Sequence, residues 1–140
     1  MHGGAAMTTI LIAEDNYADA VLLREALRAC GVEACFQVIE DGALVMGRLQ
    51  ALAAARTLPD LVILDLHLPH VDGIELLRRI RAQESLKGIH TVMVTACGGV
   101  QERSACAAAD GYMLKGEDWD QSLKLAKTLA GFLPQAAAPG

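Results

Sequence analysis

Five short apolar runs, each followed by a stretch with helical spacing, recur along this chain, and that alternation leaves few folds open. Thr8-Thr9-Ile10-Leu11-Ile12-Ala13 is the first run, partly β-branched and apolar throughout, as a strand buried on both faces must be. Asn16 is placed to cap a helix, with Asp19 three residues on, close to a capping box. Ala20, Leu23, Leu27 and Cys30 then recur on one helical face, and Gly31 stops it. Cys35 to Glu40 reads as the second strand. Asp41-Gly42 turns into an Ala- and Leu-rich helix ending near Arg56, broken by Thr57-Leu58-Pro59. Leu61-Val62-Ile63-Leu64 is the third strand, and Asp72-Gly73 opens a helix that runs to about Gln83. Thr91 to Thr95 is the fourth strand, and Gly98-Gly99 precedes a helix to about Ala109. Gly111 to Lys115 is the fifth strand, and Trp119 to Leu133 the last helix.

Buried-type strands alternating with helices predict an α/β fold, a doubly wound five-stranded parallel sheet covered on both faces by five helices. The domain is expected over residues 8–133, with 1–7 and 134–140 as flexible ends. A chain of 140 residues is expected to hold one such domain, without an attached effector domain. Hydrophobic residues at 53% and charged residues at 21% suit a packed globule. The net charge of -5, with no basic run, argues against a nucleic-acid surface. No apolar stretch is long enough to span a bilayer, and no secretory signal opens the chain. Cys30, Cys35, Cys97 and Cys106 form no C-x-x-C pair, so free thiols in a reducing cytoplasm are expected.

In such sheets, chemistry sits beyond the carboxyl ends of the strands. Glu14 and Asp15 follow the first strand and Asp65 the third, so three carboxylates converge on one edge. Like charges held close need a cation among them, and hard oxygen ligands suit Mg²⁺. The fourth strand ends in Thr95, a hydroxyl donor. The fifth ends in Lys115, a point charge suited to a phosphate oxygen. Acid cluster, central Asp, hydroxyl and Lys together make a phosphoryl-transfer site, with Asp65 as the covalent acceptor.

These segments resemble the receiver domain of bacterial two-component response regulators. The matching motifs are Leu11-Ile12-Ala13-Glu14-Asp15-Asn16, Leu64-Asp65-Leu66-His67-Leu68-Pro69 with Asp72-Gly73, Val94-Thr95-Ala96, and Gly111-Tyr112-Met113-Leu114-Lys115. Thr95 also lies 30 residues beyond Asp65, as in that family. The resemblance implies a flavodoxin-like strand order, 2-1-3-4-5, and a role for each residue. Asp65 would accept the phosphoryl group. Asp15 and Asp65 would bind Mg²⁺ directly, with the backbone carbonyl of His67, and Glu14 through water. Thr95 would bond the phosphoryl group and shift inward, Lys115 would pair with a phosphoryl oxygen, and Tyr112 would turn inward behind Thr95. A sensor histidine kinase would supply phosphate, and the protein would signal by contact or relay. It would be a switch and not an ordinary enzyme, assisting only its own Mg²⁺-dependent phosphorylation and dephosphorylation. By analogy, the His67 side chain and Cys97 would tune the lifetime of the phosphoryl group.

A narrower likeness is to small regulators paired with phytochrome-type sensor kinases. It rests on the long stretch from Gly47 to Pro59 and on the Glu14-Asp15-Asn16-x-x-Asp19 opening, though Tyr17 stands where that group usually has Pro. One departure is plain: Lys115 is followed by Gly116, where receivers usually carry a cis-Pro, so a looser lysine loop is expected. That departure is the only hint of a phosphate-independent binding module. A phosphatase of the haloacid-dehalogenase group would need an acid two residues after the nucleophile, in the first strand; here that place is His67, and Asp65 follows the third.

On the last helix, Trp119, Leu123, Ala126, Ala130 and Leu133 form one stripe at about 100° per residue, and Leu125, Leu129 and Phe132 a second. Together they exceed the arc one sheet contact needs. The second stripe is therefore expected to meet a partner, a second copy in a two-fold homodimer.

Overall fold

The computed structural model describes residues 7–96 and 98–134. Cys97 and, apart from Met7 and Pro134, the ends expected to be loose lie outside the described residues. Five strands, β1 (Thr9–Ala13), β2 (Cys35–Ile39), β3 (Leu61–Leu64), β4 (Thr91–Thr95) and β5 (Gly111–Leu114), alternate with five helices. The helices are α1 (Tyr17–Ala29), α2 (Val45–Ala54, entered through a 3₁₀ turn at Gly42–Leu44), α3 (Gly73–Ala82), α4 (Val100–Ala105) and α5 (Trp119–Ala130). All strand pairs are parallel, in the order β2-β1-β3-β4-β5. This is the flavodoxin-like, doubly wound arrangement expected from the sequence.

Period-2 alternation along the central strands sends side chains to opposite faces. Leu11, Ala13, Val62, Leu64 and Met93 pack with Leu49 of α2 and Leu76, Leu77 and Ile80 of α3. Ile10, Ile12, Leu61, Ile63, Val92 and Val94 pack with Leu23 and Leu27 of α1 and Ala126 and Leu129 of α5. Each large side chain so buried contributes roughly 1.5–3 kcal/mol. Both cores meet at β1 and β3, whose carboxyl ends carry the acidic residues. The site therefore stands on the most buried part of the sheet.

Helix starts follow local chemistry. Asn16 accepts from the Asp19 amide at 3.1 Å, Asp72 from Glu75 at 2.9 Å and Asp118 from Gln121 at 2.8 Å. α4 departs from expectation: it ends at Ala105, not near Ala109. No side chain caps it and none of its residues is buried, so it lacks what prolongs the other helices. α5 stops at Ala130, and its last residues close in tight turns, with Phe132 N bonded to Leu129 O and Leu133 N to Ala130 O.

The expected partner stripe on α5 is corrected by the packing. Leu129 has no exposure at all, and Leu125 and Phe132 are half-buried against the same core. Trp119, expected inside, is 42% exposed. The physical reason is that α5 packs against α1 as well as the sheet, so a broad apolar arc is consumed within one chain. Val100, Leu114 and Trp119 are among the large apolar side chains left open. Among the described residues Cys30, Cys35 and Cys106 are free thiols, and no helix is long and apolar enough to cross a membrane.

The β3–α3 loop is held by a close approach. A Cβ on Gly73 would lie 2.1 Å from the carbonyl oxygen of Asp65. The Gly73 amide also donates to Leu66 O at 2.9 Å. Gly73→Ala should therefore push α3 from the loop and destabilise the fold by about 2–3 kcal/mol, read from urea unfolding.

Candidate functional site: a carboxylate cluster around one lysine

Each strand delivers its polar residue to one edge of the sheet. Glu14 and Asp15 leave β1 where the Glu14 amide still bonds Ile39 O of β2 at 3.0 Å. Asp65 leaves β3 with its amide on Ala13 O at 3.0 Å. Carboxylate oxygens of Glu14, Asp15 and Asp65 all lie within 4.8 Å of one another. Glu14 and Asp65 are each only 5% exposed, whereas Asp15 faces solvent. The Asp65 carboxylate also accepts from the His67 amide at 3.2 Å, and Glu14 from the Asn16 amide at 3.1 Å. The donor set is three hard oxygens of high charge density, which fits Mg²⁺ or Mn²⁺ better than a softer metal.

The cation already present is Lys115. Its Nζ lies 2.9 Å from Asp65 Oδ2, 2.5 Å from Glu14 Oε1 and 2.9 Å from Asp19 Oδ2. Burial alone would lower the lysine, but hydrogen bonds to Glu14, Asp65 and Asp19 outweigh it and hold Lys115 above its ordinary value. Burial pushes Glu14 up to about 7; hydrogen bonds from Lys115 and Asn16 oppose this, and the nearby Asp65 charge adds to it. Lys115 is thus brought onto Asp65 despite Gly116, and no peptide bond among the described residues is cis. The looser loop expected from Gly116 does not displace the lysine.

Thr95 ends β4 fully buried. Behind it, Tyr112 is turned inward: its hydroxyl occupies the place a Gly98 side chain would take, 1.5 Å from an ideal Cβ, with the Thr95 methyl 3.5 Å from the same point. The guanidinium of Arg103 covers the Tyr112 ring at 5.6 Å. Two residues of the site were not singled out from the sequence. Asp19 looked like a capping residue and also binds Lys115. Gly98 looked like a helix start and makes room for Tyr112. The Glu14-Asp15-Asn16-x-x-Asp19 spacing carried the signal for Asp19, one helical turn beyond the acidic pair.

His67 is exposed, and His70 bonds Asp41 at 2.9 Å. The acid that a haloacid-dehalogenase phosphatase needs two residues after its nucleophile is replaced by this exposed His67.

A model of the response regulator receiver domain matches residues 10–127. The chain spans about half the length of most of the curated relatives it matches. The phosphate regulon transcriptional regulatory protein PhoB of Rhizobium meliloti (strain 1021) is 41% identical over 108 residues, 76% of this chain and 44% of that protein. Among solved structures, the phosphorylated cyanobacterial phytochrome response regulator RcpA is 29% identical with a TM-score of 0.83, covering 96% of this chain and 100% of its own. The Mn(2+)-bound form of response regulator Rcp1 is 28% identical with a TM-score of 0.79, covering 95% and 99%.

The raised Glu14 sets a pH dependence for cation binding. Below about pH 7 Glu14 takes a proton, the cluster loses a negative charge, and a divalent cation must compete with that proton. Calorimetric Mn²⁺ or Mg²⁺ affinity should fall several-fold from about pH 8 to about pH 6. Glu14→Gln should flatten that dependence. An affinity that rises on acidification would contradict the assignment.

Proposed function

Because the chain belongs to the response regulator receiver domain family, we propose that it accepts a phosphoryl group on Asp65 from a sensor histidine kinase. The observation that carries this reading is the placement of Lys115 Nζ 2.9 Å from the nearly buried Asp65 carboxylate, beside Glu14 and Asp15. A receiver is a signalling domain, and its chemistry is limited to its own phosphorylation state.

An Asp65 oxygen attacks the phosphorus of a phosphohistidine. The new P–O bond forms as the P–N bond breaks, and the departing imidazole keeps the electron pair and takes up a proton. Asp15, Asp65 and the His67 carbonyl would hold Mg²⁺, with Glu14 reaching it through water. When bound, the ion neutralises charge on the phosphoryl oxygens. Lys115 supplies a second positive charge, fixed before the reaction begins, so little reorganisation is needed. Thr95, at the end of β4, would bond a phosphoryl oxygen through its hydroxyl. Its inward shift would change the space left to Tyr112, which packs against the same Gly98. A local charge event thereby reaches α4, β5 and the open side chains Val100, Leu114 and Trp119, which form the surface for a downstream partner.

The long stretch from Gly47 to Pro59 and the likeness to the phytochrome response regulator RcpA support a phytochrome-type kinase as donor, acting in the cytoplasm. The phosphate-independent alternative rested on Gly116, and the seated Lys115 takes away its ground.

Intact mass after exposure to a small phosphodonor tests the reading. One phosphoryl group should appear with Mg²⁺, drop by at least about tenfold without it, and be absent from Asp65→Asn. A folded parent protein that takes no phosphoryl group under any of these conditions would refute it.

A further inference from the structure

Most receivers brace the active-site lysine with a proline after it; this chain has Gly116 and needs another brace. The space around Gly116 explains the residue. A Cβ there would lie 2.6 Å from the backbone nitrogen of Ser122, 2.8 Å from its Oγ and 2.9 Å from the Gln121 carbonyl carbon. α5 is seated directly on the lysine loop, and its backbone excludes proline or any other side chain at this position. Ser122 is 3% exposed, so this contact is part of the core. The loop is tied further by the Lys115 amide to Thr95 O at 2.8 Å and the Glu117 amide to Gln121 Oε1 at 2.8 Å.

These contacts fix the backbone of Lys115 but not its ammonium group. A cavity of about 30 Å³ lies beside that side chain, lined by Asp19, Ala20, Val94, Gly116 and Ser122 among others. That is room enough for a water, so packing does not hold the flexible four-carbon stem. Its ion pairs do. Two of them, to Glu14 and Asp65, go to groups that must turn to other partners during the reaction: Asp65 forms the new bond, and Glu14 faces the cation. The third, to Asp19, does not involve the reacting groups. Asp19 sits in the first turn of α1, whose packing against α5 brings it across to Lys115.

We propose that Asp19 is a positioning residue, a side-chain brace that keeps Lys115 over Asp65 during phosphoryl transfer in place of the absent proline. This rests on the reading of Asp65 as the phosphoryl acceptor. In this role Asp19 acts through its ion pair with Lys115. Its side chain is 39% exposed, so solvent screens the pair and the effect is moderate.

A double-variant cycle tests this with Mg²⁺ and acetyl phosphate on the full chain. Asp19→Asn keeps the shape of the residue, and the Asp19 amide remains bonded to the Asn16 cap. At saturating donor it should lower the phosphorylation rate constant about two- to fivefold, with Mg²⁺ affinity nearly unchanged. In a Lys115→Ala background the same substitution should have no further effect on rate. An equal slowing in both backgrounds would assign Asp19 to the stability of α1 and overturn the proposal. So would an unchanged rate for Asp19→Asn in an otherwise normally phosphorylated protein. If the parent protein took up no phosphate, the underlying reading of Asp65 would fail with it.

Discussion

Glu14, Asp19 and Asp65 pair with the single ammonium group of Lys115 at the carboxyl edge of the sheet, and Asp15 stands beside Glu14 and Asp65. The cluster would be self-repelling without Lys115, and with it remains short of positive charge. That deficit is what equips the site for a divalent cation and then for an incoming phosphoryl group. The fold provides the rigidity this requires. β1 and β3 are buried on both faces, so Glu14 and Asp65 cannot relax apart without breaking the two cores at their junction. Lys115 spans the interval from β5, past β4, and makes the edge one electrostatic unit.

The opposite side of the site is built to yield. α3 is anchored by Leu76, Leu77 and Ile80, and its start is pressed onto the Asp65 carbonyl. α4, only six residues long, buries none of them and has no side-chain cap. Segments with few buried contacts are the ones that open at low cost. Tyr112 and Thr95 meet at Gly98, just before α4. On the proposed reading, a charge change at Asp65 would act on the least restrained of the described helices, while α1, α3 and α5 keep the carboxylates in register.

Much of this was legible in the sequence because burial leaves strong marks. Runs such as Leu61 to Leu64 are too short for helices and too apolar for exposed strands, and Asn16 and Asp72 cap helices as their side chains predict. The strand ends then place Glu14, Asp15, Asp65 and Lys115 together, with Thr95 at the end of β4. What escaped reading was contact between elements distant in sequence. Asp19 satisfies a helix start on its own terms; its spacing from the acidic pair sets it near that edge, but does not name a partner 96 residues away. Leu129 and its neighbours suggested an open stripe because a helical wheel cannot tell a second chain from α1. Gly116 looked like a loosening substitution, whereas α5 lies against it. In each case the missing quantity was the distance between two elements of the fold, a helix and a loop or two helices, which periodicity does not encode.

The assignment of Lys115 as the group that receives the phosphoryl oxygens is tested most directly by a crystal structure with Mg²⁺ and trifluoroberyllate, a tetrahedral stand-in for a phosphoryl group on a carboxylate. The predicted result has the beryllium on an Asp65 oxygen, Lys115 Nζ moved from Asp65 Oδ2 to a fluorine within hydrogen-bond reach, and the Thr95 hydroxyl on another fluorine. A complex in which Lys115 keeps its contact with Asp65 while the fluoride group binds elsewhere would contradict it.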